Sequence, residues 1–320
     1  MSAFLLRRVG QNRPIVLAYV GALGLFLVTS AFSTGFASAN HVRVLLIQAS
    51  FIGIVALGQS FVILGGGIDL SVPWTLNGVA ILMTLFANGQ DRPLLWAIPL
   101  LIGLGGLVGL INGLGITVLG VSPIIMTLGM NVILSGALLV YTNGSPTAGA
   151  PHLVETLATG RLGPVPYNTL LWLSLTALAT VVLTWTAFGR YLYALGTNRT
   201  VAQFSGIAIS RVTIATYVIC GMTSALAGIV LTGYVGQAYL GMGDPYLFSS
   251  VAAVAIGGAS ILGGSGHYLG TVAGALILTV LAGLLPILNL NQASLQIVYG
   301  VVILVTVALA TLPGRRAVAR

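Results

Sequence analysis

The chain has 320 residues, of which 57% are hydrophobic and 5% charged, against roughly 25% charged usage in an ordinary soluble domain. Mean hydropathy is +1.07, and apolar runs recur near or above the roughly 18 residues that can cross a bilayer, so the sequence reads as an all-α polytopic membrane protein. The formal charge of +8 comes from twelve arginines and no lysine against four acids. These arginines are scattered or terminal rather than gathered into a stripe, which excludes a nucleic-acid-binding face.

Ten apolar runs follow in chain order, at Ile15–Phe32, Val42–Leu64, Pro73–Ala87, Leu94–Val118, Pro123–Tyr141, Tyr167–Phe188, Val212–Tyr234, Ser249–Leu262, Leu269–Leu285 and Ala293–Leu312. The first follows Arg7, Arg8 and Arg13 but is long and exits without a clear cleavage site, so it reads as a permanent helix rather than a signal peptide. About ten spans place both termini on one side. Arg7, Arg8, Arg13, Arg190, Arg199, Arg211, Arg315, Arg316 and Arg320 fall on that side, while Arg43, Arg92 and Arg161 fall opposite. The positive-inside bias then makes both termini cytoplasmic.

Glycine accounts for 43 residues, many of them suited to close helix packing in lipid. Adjacent glycines at Gly65–Gly67 and through Gly257–Gly266 weaken a helix more strongly and point to broken or re-entrant backbone. Asp69 lies in GGGIDLS immediately before the third run. It suits either a cap for that helix, a job Ser71 could share, or a part in gating, because an acid beside hydrocarbon must be paired or hydrogen-bonded. Asp91, Arg92 and Asp244 sit beside prolines in turns, and Glu155 and His152 belong to an external stretch suited to an ordered loop or short surface helix.

Nothing in the sequence points to catalysis. His41 and His267 are isolated, Cys220 is the single cysteine, and no spacing resembles a zinc or thiol-redox site. The absence of lysine removes any phosphate-loop lysine, so no cofactor is expected on this chain. The longest internal polar interval is GRYLYALGTNRTVAQFSGIAISR, Gly189–Arg211, with room for a short helix near Arg199–Ser205. It suits a connector held at anionic membrane lipid or a surface pushed by a cytoplasmic motor subunit.

Four ordered motifs carry a family resemblance over about Leu45 to Leu309: GGGIDLS at Gly65–Ser71, NGLGITVLGVSPIIMTLGM at Asn112–Met130, the Gly189–Arg211 interval, and AAVAIGGASILGGSG at Ala252–Gly266. Together they resemble the membrane permease of bacterial ABC importers for monosaccharides of the ribose, xylose and galactose group. The resemblance implies a single permease domain over residues 1–320 in the bacterial inner membrane, without enzymatic activity of its own. It also implies a second permease subunit forming a homodimer, two cytoplasmic ATPase domains carrying ATP and Mg, and an external or periplasmic sugar-binding protein. Residues 189–211 match the coupling segment, with Gly189, Arg190, Ala194, Gly196, Asn198, Ala202, Ser205 and Gly206 on its characteristic positions and Arg199 beginning the docking helix. Gly66, Asp69, Trp74, Asn77, Asn112, Thr127 and Asn131 are the candidates for the solute path or its gate, although the polar and aromatic ones equally suit packing. A related permease for branched-chain amino acids or another small polar solute, and an ion-coupled secondary transporter, are the alternative readings.

Overall fold

The structure, a computed structural model, describes residues 2–33, 35–146 and 148–311, with side chains described within residues 13–308 apart from 34, 147 and 292. Arg315, Arg316, Arg320 and the end of the last apolar run therefore lie outside the described residues, as do the side chains of Arg7 and Arg8. The chain begins with α1 (Ser2–Phe32), α2 (Ala39–Leu64), α3 (Val72–Ala87), α4 (Leu94–Thr117) and α5 (Pro123–Thr142). Next come the short α6 (His152–Thr159), an antiparallel pair β1 (Arg161–Leu162) and β2 (Val165–Pro166), and α7 (Tyr167–Trp185). The polar interval folds as α8 (Ala187–Thr197) and α9 (Arg199–Phe204). The chain then continues through α10 (Ile209–Val235), α11 (Pro245–Ile256), α12 (Tyr268–Leu284) and α13 (Gln292–Thr311).

Among the described residues six helices are long and apolar enough to cross a membrane: Arg13–Phe32, Ala39–Leu64, Leu94–Thr117, Pro123–Thr142, Tyr167–Trp185 and Ile209–Val235. Three other apolar helices are shorter, at Val72–Ala87, Pro245–Ile256 and Tyr268–Leu284, and α13 is described with its side chains over Ala293–Ala308. At the helical rise per residue α11 covers about 18 Å and α3 about 24 Å, short of the roughly 30 Å hydrocarbon thickness. Two boundaries shift for local reasons. The eighth run folds earlier than Ser249–Leu262, starting at Pro245 in the first turn of α11 and ending at Gly257, where Gly258 takes φ +83°. The sixth ends at Trp185 because Thr186 is extended and its hydroxyl accepts the Gly189 N–H at 3.3 Å, starting α8 instead.

Helix α2 is apolar on every side and buried along nearly all of its length from Leu45 to Leu64, so it forms the centre of the bundle. Helices α10, α12, α11 and α7 pack around it, and α4 lies along α10. The α4–α10 contact is backbone to backbone. A methyl on Gly105 would run into the Gly221 carbonyl, and one on Gly109 into the Tyr217 carbonyl, which is how small residues bring membrane helices close. The core is also pinned by a buried polar chain in which Trp172 Nε1 donates to the Tyr268 hydroxyl at 2.9 Å and that hydroxyl donates to the Gly53 carbonyl at 2.7 Å. By contrast the Arg13–Phe32 part of α1, and α5, are mostly exposed.

Candidate functional site

Helix α2 stops at Gly65, whose N–H closes back on Phe61, and Gly66 turns the chain at φ +83°, a conformation that glycine adopts without strain. The residues that follow form the break foreseen from the glycine cluster. Asp69 is buried and its Oδ1 accepts the Ser71 N–H at 2.9 Å and the Ser71 hydroxyl at 2.6 Å. Ser71 occupies the cap position of α3 without a side-chain cap bond, so the carboxyl group satisfies the break itself rather than the first turn of the helix. Asn112 of α4 donates to the Ser71 hydroxyl at 2.9 Å, and Thr127 of α5 accepts the Leu70 N–H at 3.0 Å. Tyr217 of α10 donates to the Ile68 carbonyl at 3.4 Å.

Asp69, Asn112 and Thr127 are thus brought together, each buried, and the break is held on three helices at once. Each buried hydrogen bond of this kind contributes about 1 kcal/mol net, and losing one partner strands the other at about 1–3 kcal/mol. Asn77 lies apart, donating to the Tyr239 carbonyl at 3.3 Å. Trp74 is half-buried against the core at the start of α3. Asn131 sits one turn beyond Thr127, half-buried, with Oδ1 unpaired among the described residues. Ser71 and Tyr217 are the members that sequence reasoning undervalued; an aromatic hydroxyl in the middle of an apolar run was the available signal for Tyr217.

The Gly189–Arg211 interval builds a compact surface unit. Gly189 is buried at the α7–α8 turn, where a methyl would strike the Leu183 and Val182 carbonyls, and Arg190 next to it is exposed. Asn198 breaks α8 and caps α9, its Oδ1 accepting the Val201 N–H at 3.1 Å. This is the short helix expected near Arg199–Ser205. On it Ala202 faces inward while Arg199, Val201 and Phe204 face out, and Phe204 is 88% exposed. Ser205 closes the helix by donating to the Val201 carbonyl at 3.0 Å, and Gly206 turns at φ +77° with open space around it.

The end of α8 meets both glycine-rich breaks. A methyl on Gly196 would overlap the Leu64 carbonyl oxygen and the Gly264 nitrogen and lie 3.0 Å from the Gly264 Cα; one on Gly263 would lie 2.9 Å from Gly66 and 3.2 Å from Gly196. At the same place the Gly264 N–H donates to the Leu64 carbonyl at 2.9 Å and the Tyr193 hydroxyl donates to the Gly266 carbonyl at 2.8 Å. His267 then caps α12, its Nδ1 accepting the Leu269 N–H at 3.0 Å. Partial burial lowers the His267 pKa below its ordinary value and favours this neutral, accepting form.

An apolar cavity of about 410 Å³ lies between α2, α4, α7 and α10, lined by residues such as Leu57, Leu178 and Met222 with Thr223 as its one hydroxyl. It offers a polyol almost nothing to bind. Among the described residues no group of three His, Cys, Asp or Glu side chains is placed to hold a metal ion.

A protein-family profile described as the permease component of the branched-chain amino acid transport system matches residues 42–307, and the chain belongs to this family of membrane permeases. The chain is 33% identical over 294 residues to the ribose import permease protein of Haemophilus influenzae, covering 91% of each. It is 35% identical over 301 residues to the ribose import permease protein of Bacillus subtilis, again covering 91% of each. To the autoinducer 2 import system permease protein of Yersinia enterocolitica it is 32% identical over 312 residues, 94% of this chain and 92% of that one. No solved structure matches the chain. The chain is therefore the membrane-embedded component of an ATP-driven transport system, and ATP hydrolysis resides in a different subunit.

Proposed function

We propose that this permease carries a monosaccharide, a pentose or hexose, into the cytoplasm through a bacterial inner membrane without modifying it. The names of its relatives support the cargo, two of those described being ribose permeases. In this reading the whole chain is one transmembrane domain with about ten crossings and both termini cytoplasmic. Two copies form the path, two cytoplasmic ATPase domains binding ATP and Mg drive it, and an external sugar-binding protein delivers the solute.

The observation that carries the reading is the exposed α9. A short helix that turns Phe204 outward at 88% exposure, with Val201 at 59% beside it, presents an apolar anchor suited to a partner. Covering one such aromatic contributes about 2–3 kcal/mol, and burial of a central anchor is how compact interfaces gain most of their affinity. A surface pocket of about 320 Å³ between Arg199, Gln203, Ile207 and Arg211 adds two arginines suited to acidic groups on an ATPase. ATP-driven closure of the ATPase pair would move α8 and α9, and the glycine contacts of Gly196 would carry that movement to the α2–α3 break held by Asp69, Asn112 and Thr127. Gly66, Trp74, Asn77 and Asn131 complete the candidate path.

The family description favours one second reading, a branched-chain amino acid as cargo. Uptake into proteoliposomes containing the permease, its ATPase and its binding protein separates them. Accumulation of ribose-class sugars supports the proposal; accumulation of leucine or valine with no sugar uptake overturns it.

A further inference from the structure

Tyr193, Gly196 and Thr197 stand at i, i+3 and i+4 on α8 and therefore share one face. That face meets the Gly263–Gly266 segment through atoms of all three residues. The Tyr193 hydroxyl donates to the Gly266 carbonyl at 2.8 Å, the Thr197 hydroxyl lies 3.4 Å from the Gly264 carbonyl, and Gly196 leaves no room for a side chain between them. The segment is in turn bonded to α2 by the Gly264 N–H on the Leu64 carbonyl at 2.9 Å. Gly266 immediately precedes His267, the cap of α12. One side chain on α8 thus holds the start of α12, and the loop it holds is fastened to the end of α2.

We infer that Tyr193 is the positioning residue that passes movement of the α8–α9 unit to the glycine-rich segment before α12, so that both backbone breaks move together when the permease switches. The inference rests on the reading of Gly189–Arg211 as the coupling segment and adds the link on its inner side. Two features make a hydroxyl the fitting connector. Its acceptor is a carbonyl in a stretch where Gly263, Gly264 and Gly266 all take positive φ, so the loop has no side chains of its own at those positions to grip a neighbour. The Tyr193 ring is half-buried against the core while its hydroxyl reaches across to the loop, so ring packing holds the donor in place and the hydrogen bond supplies the tie.

Tyr193→Phe removes the tie and keeps the ring. In proteoliposomes containing the permease, its ATPase and its binding protein, solute taken up per ATP hydrolysed should fall about three- to tenfold, the equilibrium worth of one hydrogen bond. Binding-protein stimulation of hydrolysis should stay as in the unaltered protein and the Tm of the purified permease should fall by no more than the few degrees one hydrogen bond accounts for, so that uptake is lost out of proportion to stability, which a merely structural role would not give. Thr197→Val should lower the same ratio by less, and the double variant by at least as much as Tyr193→Phe alone. A ratio unchanged in Tyr193→Phe overturns the inference, as does a parallel loss of hydrolysis, uptake and Tm. If Tyr193→Phe does not accumulate in the membrane, Thr197→Val decides: a lowered ratio at normal Tm supports the link and an unchanged one overturns it. Failure of the unaltered protein to show any ATP-dependent uptake would instead strike the importer reading itself.

Discussion

Gly196→Ala is the sharpest perturbation of the coupling unit. The added methyl overlaps the Leu64 carbonyl oxygen and the Gly264 nitrogen, which are backbone atoms of two other segments and are themselves bonded to one another at 2.9 Å. Backbone cannot swing aside as a side chain can, so α8 must lift or the Gly264–Leu64 bond must open. Overpacking costs about 1–3 kcal/mol and the lost bond about 1 kcal/mol, for a combined cost of about 2–4 kcal/mol. Gly206→Ala is the matched comparison. Its surroundings are open, and its only cost is the strain of a non-glycine residue at φ +77°, about 1–2 kcal/mol. Both variants would be reconstituted with the ATPase and binding protein, and uptake, hydrolysis and Tm measured together. The expected result is that Gly196→Ala loses most uptake per ATP and lowers Tm, while Gly206→Ala is milder on both counts. Normal uptake with unchanged Tm in Gly196→Ala would refute the close-contact argument.

Asp69→Asn preserves an oxygen for both bonds from Ser71 and should keep protein yield and ATP-driven uptake near normal, whereas Asp69→Ala should cost about 2–4 kcal/mol of stability, read as a lower Tm. Abolition of uptake by the asparagine variant at normal Tm would point instead to an ion-carrying carboxylate. Phe204→Asp should leave Tm unchanged, because the side chain is 88% exposed, and should abolish co-purification with the ATPase; retained binding would remove α9 from the interface. Trp74→Ser should alter solute preference or rate across a sugar panel, and no change in either takes Trp74 out of the path. Acidification should weaken the cap of α12, since protonated Nδ1 of His267 cannot accept the Leu269 N–H. Because the folded pKa lies below the ordinary 6.5, this contribution is complete above pH 6.5 and is lost as pH falls from there through the lowered folded value. His267→Asn should keep the cap and remove that pH dependence of Tm.

The apolar runs made the long helices readable because period, length and composition agree over each stretch, and α2, α4 and α10 end within a few residues of where hydropathy changes. The glycine clusters announced the breaks at Gly65–Gly67 and Gly257–Gly266 for a plain reason, that consecutive residues without Cβ do not sustain a helix. Hydropathy read less of the short helices. The eighth run could not reveal that α11 stops at Ile256, since Ile261 and Leu262 continue the apolar composition while glycine geometry ends the helix. The amphipathic polar interval bounded by Gly196 and Gly206 located α9, while the Asn198 cap that starts it is seen only in the fold. The meeting of Gly66, Gly196 and Gly263 was not legible, because nothing in one dimension relates three segments so far apart in the chain. The same holds for Tyr193, whose acceptor lies 73 residues away. Asp69 was legible as important, but its engagement with Ser71 rather than with the turns of α3 required the fold.

As proposed above, this chain is the passive membrane half of an ATP-driven sugar importer. The most direct test of that proposal is uptake of radiolabelled ribose into proteoliposomes holding the permease, its ATPase and its external binding protein, with and without ATP. ATP-dependent accumulation that requires the binding protein and is unaffected by collapsing ion gradients is the expected result. Accumulation that persists without ATP and collapses with the ion gradient would contradict it.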